Sequence, residues 1–152
     1  MRTVVRFAAL LALSIASVPV CASSHDNSLP TQEALDALEA RANQAQPRDQ
    51  CFLYAELVHQ MTELSIHQYS AGDVGKATGM LKQIQRIAQK IHFTISGNDK
   101  RLKNAQLLLS RTAFRLNEML HASSYEDRPI VEQTLAQVTQ IQNATMMEVF
   151  QK

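Results

Sequence analysis

Between residues 74 and 95 the apolar positions are Val74, Ala77, Leu81, Ile84, Ala88, Ile91 and Ile95, separated by alternating steps of three and four. That spacing draws one narrow stripe along an α-helix, a coiled-coil-like seam. It recurs over about residues 100–121 with Leu102, Ala105, Leu109, Ala113, Leu116 and Leu120. Leu107 and Phe114 lie on a second side of that helix, so it is expected to touch two neighbours. A further helix over about 128–150 carries Val131, Leu135, Val138, Ile141, Thr145 and Val149. Upstream, about 48–70 is striped by Leu53, Tyr54, Leu57, Met61 and Leu64, and a shorter helix over about 31–46 by Ala34, Leu35, Leu38 and Ala42. No segment alternates with the period of two that a half-buried strand requires.

The breaks between stripes are chemically apt. Pro47 ends one helix and opens the next. Gly72 suits a left-handed helix end and Asp73 an N-cap. Ser96-Gly97-Asn98-Asp99 interrupts the third and fourth helices, and Ser124 or Asp127 caps the fifth. Short connections between long helices imply antiparallel neighbours. The expected fold is all-α: an up-and-down antiparallel bundle of four long helices plus a short N-terminal helix. The alternative is a tetratricopeptide-like α-hairpin stack. Gly72-Asp73 followed by Ala77 and Leu81 resembles the turn inside a tetratricopeptide hairpin. The resemblance covers about ten residues and does not recur at a period of about 34.

The start of the chain follows another logic. Arg2 and Arg6 precede an apolar or small stretch from Phe7 to Val18, then Pro19 and the small residues Val20-Cys21-Ala22. This is the layout of a secretory signal peptide, with cleavage expected after Ala22. Its apolar part falls well short of the roughly 20 residues a spanning helix needs. Expected boundaries are a signal peptide at 1–22, a flexible mature N-terminus at 23–30 and one helical domain at 31–152. The destination is the periplasm or the exterior.

Composition narrows the picture a little. The chain has 15 basic and 14 acidic residues, so losing Arg2 and Arg6 leaves 13 against 14. No overall charge marks a nucleic-acid binder. Cys21 departs with the signal, leaving Cys51 as the one cysteine of the mature chain. In an oxidising compartment Cys51 could cross-link a homodimer; otherwise it acts as a small apolar residue.

Candidate chemistry is thin. Glu56 with His59 and Glu118 with His121 form two Glu-x-x-His pairs, as di-iron bundles use. At about 100° per residue, however, both pairs fall away from their helices' seams. Glu56, His59, Glu63 and His67 also run at steps of three and four along the outside of the second helix. Such a ladder could hold Zn²⁺ or Cu²⁺ weakly or titrate near neutrality, against the simpler reading of a solvated face. No nucleophile elbow, phosphate-cradling loop or haem-attachment motif is present, so neither an enzyme nor a cofactor is expected.

Charge segregation is the stronger signal. Residues 74–116 carry nine basic residues against Asp99, a balance of +8. Residues 23–73 stand at −6 and residues 117–152 at −3. Lys82, Arg86 and Lys90 stack at i, i+4, i+8 opposite the third helix's seam, with Lys100, Arg101 and Lys103 starting the fourth helix. Like charges so placed repel mildly. Either acidic helices of the same chain screen them, or the face meets an anionic partner: a protein, a polysaccharide or a lipid head group. No aromatic residue interleaves the ladder, which disfavours single-stranded nucleic acid. Gly75 and Gly79 lead into it; either a close-packed helix, the chain's own first one or a partner's, or equally a tolerated weak first turn explains them. The expected protein is an exported helical binding or scaffold module with a basic face on its third and fourth helices.

Overall fold

The computed structural model describes residues 29–95 and 100–150. The expected signal peptide, most of the expected mature N-terminus and the Ser96–Asp99 break lie outside the described residues. Within them the chain forms five helices and no strand. These are α1 (Gln32–Gln44), α2 (Pro47–Ser70), α3 (Val74–His92), α4 (Lys100–Ala122) and α5 (Arg128–Phe150).

The starts and stops follow local chemistry. The Thr31 hydroxyl accepts from the Ala34 amide at 3.2 Å and caps α1. Pro47 occupies the first turn of α2, where its missing N–H costs nothing. Gly72 sits at φ 85°, so a side chain there would strain the α2–α3 turn. Asp73 holds the N-cap position without capping, its carboxylate instead pairing with Lys76 at 3.1 Å. Before α5, the Ser124 hydroxyl accepts from the Asp127 amide and donates to the Asp127 carboxylate. Tyr69, at the end of α2, locks this turn: its hydroxyl accepts from the Ser124 amide at 2.8 Å and donates to Asp127 at 3.2 Å.

The stripes meet in one continuous core. Leu57, Val58, Leu81, Ile84, Ile91, Leu109, Leu116, Val131 and Val138 are its largest fully buried apolar members. Each such side chain contributes about 1.5–3 kcal/mol of burial. Four threonines join them, each donating to a carbonyl four residues back: Thr62 to Val58, Thr112 to Leu108, Thr134 to Ile130 and Thr145 to Ile141. Their polar groups are thereby satisfied inside an apolar interior.

Helix order in space departs from the simple expectation. α2 packs against α1, α3 and α4, and α5 against α3 and α4. Consecutive α3 and α4 are not packed neighbours. Instead the pairs Asp49–Arg101, His59–Thr112, Glu63–Arg115 and Tyr69–Asp127 climb α2 and the α4–α5 segment in the same direction. α2 and α4 are therefore parallel. The α3–α5 contacts also climb together, from Gln85–Thr134 to the cleft where Ala88 and His92 meet Gln137 and Ile141. Among the described residues no helix is long and apolar enough to cross a membrane.

Candidate functional site: two outward stripes and the α2–α4 groove

The basic residues of α3 and α4 do not share one face, because those two helices do not pack together. Lys82 and Arg86 point out from α3, and no carboxylate among the described residues pairs with either. The next rung, Lys90, is claimed internally. Its ammonium lies 3.0 Å from Glu39 and 3.3 Å from Asn43 on α1, and 5.6 Å from the Tyr54 ring centroid. α1 thus closes the lower end of the ladder and leaves the upper part open.

That upper part has a smooth floor. Gly75, Gly79, Lys82 and Arg86 follow one another at steps of four, three and four, and so share one side of α3. Nothing lies within 4 Å of where a Cβ would stand at Gly75 or Gly79. The short α1 does not reach them, so no helix of the described chain accounts for these glycines. A partner could approach the bare backbone closely there.

On α4 the cations divide similarly. Arg101 is bound to Asp49 at 3.3 Å and stacks 5.2 Å from the Phe52 ring centroid. Lys100 and Lys103 are exposed. Phe52 is thus covered by Arg101 and lines the groove between α2 and α4. That groove has a volume of about 410 Å³ and continues past Glu56, His59, Leu108 and Arg111.

The Glu/His ladder of α2 does not lie on a solvated face. Glu56 pairs with Arg41 of α1 at 3.4 Å. Glu63 receives two hydrogen bonds from Arg115 of α4, at 2.8 and 3.0 Å, and Arg115 also binds Glu118. These carboxylates raise the Arg115 pKa above its ordinary value. His59 is half-buried, its Nδ1 3.2 Å from the Thr112 hydroxyl. Burial lowers its pKa below the usual 6.5, opposed by Glu63 and assisted by Arg111 and Arg115. Only His67 is exposed. No group of three or more His, Cys, Asp or Glu side chains among the described residues is placed to hold a metal ion.

The other Glu-x-x-His pair faces outward, Glu118 toward Arg115 and the His121 ring toward the Asn117 carbonyl at 2.7 Å. Cys51 is 2% exposed, so reaching a second chain would require opening the start of α2. Leu107 and Phe114, expected against a second neighbour, are instead 55% and 63% exposed. Helix α4 does have two neighbours, α2 and α5. A scan against protein-family models finds no matching family, and searches of curated proteins and of solved structures return no match.

Proposed function

We propose that this is an exported binding module that docks an anionic partner on the outward face of α3. The signal-like layout of residues 1–22 supports export to the periplasm or the exterior. For the architecture, the parallel α2–α4 and α3–α5 contacts favour two α-hairpins stacked in the same sense over an up-and-down ring. The short α1 then serves as a cap on the first hairpin.

One observation carries the functional reading. Lys82 and Arg86 stand one turn apart with no carboxylate partner among the described residues, while Lys90, the next rung, is neutralised by Glu39. Elsewhere Arg101 is matched by Asp49 and Arg115 by Glu63. The pair on α3 is left for an external acid. The glycines beside it favour a peptide segment, which can press its backbone against α3 as a head group need not. Lys100 and Lys103 extend the positive field that steers the partner in. Lys90 and Arg101 serve the fold first.

Fluorescence anisotropy with labelled polyglutamate tests the reading. Binding is expected to weaken at least about tenfold between 50 and 500 mM salt, since exposed pairs are screened. Lys82→Glu with Arg86→Glu should abolish it, while Lys100→Glu should only slow association. Unchanged binding in the double reversal would remove α3 from the account. Phosphatidylglycerol vesicles binding more tightly than the peptide would assign the face to lipid.

A further inference from the structure

The outward side of α4 bears a second stripe, opposite the buried one: Lys103, Leu107, Ser110, Arg111, Phe114 and Glu118. Leu107 and Phe114 are the two large exposed apolar residues of this helix. The spacing is that of a coiled-coil seam, and its two ends carry opposite charges at matching distances from its centre. Lys103 stands four residues before Leu107, and Glu118 four residues after Phe114.

We propose that this stripe pairs two copies of the chain, α4 against α4, antiparallel about a two-fold axis between Ser110 and Arg111. In that register Leu107 meets Phe114 of the second copy and Lys103 meets Glu118, and each contact occurs twice. A two-fold interface demands such self-complementarity, and the stripe supplies it in both shape and charge. A parallel pairing would instead set Lys103 against Lys103 and Glu118 against Glu118.

The charges are available for the purpose. Arg115 donates two bonds to Glu63 and a third to Glu118, whose side chain nevertheless stays 47% exposed, so its carboxylate can accept from a second copy as well. Lys103 is exposed and has no carboxylate partner among the described residues. The two Arg111 side chains flank the seam, where their stems can cover the apolar contacts while the guanidinium groups stay in water. Leu107 and Phe114 are seven residues apart, or about 10 Å along the helix. The apolar contact is therefore short, and the dimer is a weak one, at the small end of specific interfaces. It leaves Lys82 and Arg86 on α3 uncovered, so it draws on anion docking only through the steering charge of Lys103.

Sedimentation equilibrium of the mature chain, residues 23–152, from about 10 µM to 1 mM covers the range expected of so small an interface. The expected result is reversible dimerisation. Phe114→Lys and Lys103→Glu should each weaken association at least about tenfold, and Lys103→Glu with Glu118→Lys should recover most of it. All these positions are exposed, and circular dichroism establishes that each variant is folded. Ser110→Cys supplies geometry: copies of this residue meet near the axis, so mild oxidation should cross-link it far faster than Lys103→Cys. A monomer at every concentration, or a dimer indifferent to Phe114 and to the charge exchange, overturns the proposal.

Discussion

His59 Nδ1 lies 3.2 Å from the Thr112 hydroxyl, and that hydroxyl donates its own proton to the Leu108 carbonyl at 2.8 Å. With its proton committed, Thr112 can only accept, so the neutral imidazole carries hydrogen on Nδ1 and leaves Nε2 bare. Burial then makes the cation costly, and Arg111 and Arg115 add to the cost.

A stability profile follows from this pair. His59 binds a proton less readily in the folded chain than in the unfolded one. Its contribution is fully present above about pH 6.5, the unfolded value, and is lost as pH falls from there through the lowered folded value. The melting temperature should therefore decline on acidification below about pH 6.5. His59→Gln should flatten that part of the curve. A wild-type curve unchanged by the substitution would show that His59 does not govern this window.

Tyr69 joins α2 to the α4–α5 turn through two hydrogen bonds. Tyr69→Phe removes both and keeps the ring, and should cost about 1–2 kcal/mol in denaturant unfolding. Asp127→Asn, which keeps an acceptor, should cost less. Equal losses would mean that the carboxylate charge, and not the Tyr69 hydroxyl, secures the turn.

Leu107 and Leu109 share a residue type two positions apart but lie on opposite sides of α4. Leu109 is fully buried and Leu107 is exposed. Leu109→Ala should cost about 2–5 kcal/mol by opening a cavity. Leu107→Ala should stay within about 0.5 kcal/mol in dilute solution. Comparable effects at both positions would contradict the orientation of α4.

The Glu63–Arg115 pair is well formed but partly exposed. Glu63→Gln should therefore cost no more than about 1 kcal/mol, and less at high salt. A larger loss would mean that the α2–α4 interface depends on charge more than on its apolar seam.

Much of this fold was legible in the chain. The stripe Ala77, Leu81, Ile84, Ala88 and Ile91 on α3 is buried throughout, and Gly72 takes the left-handed turn that its position implied. What escaped was who packs with whom. The periodicity of α2 marks one seam, whereas α2 touches three helices and buries Cys51, Ala55, Val58, Thr62 and Ser65 besides. A wheel drawn from one seam puts His59 and Glu63 in solvent, although α4 lies over them. The threonines Thr62, Thr112 and Thr134 were hidden for a related reason. Their hydroxyls are satisfied along their own helices, so they can sit at core positions that hydropathy alone leaves polar.

The basic cluster was legible as a composition but not as a surface. Sequence proximity grouped Lys82, Arg86 and Lys90 with Lys100, Arg101 and Lys103. The acids that neutralise Lys90 and Arg101 lie about fifty residues away in sequence, at Glu39 and Asp49. Only the packing of α1 and α2 determines which cations are left over.

The central claim is that α3's outward stripe receives an acid from outside. Amide chemical-shift mapping with hexaglutamate tests it most directly, because it reports where contact occurs as well as whether it does. Perturbations confined to the Gly75–Arg86 stretch, vanishing in Lys82→Glu with Arg86→Glu, are the expected result. Shifts spread evenly over every exposed lysine and arginine, or absent from that stretch, would contradict it.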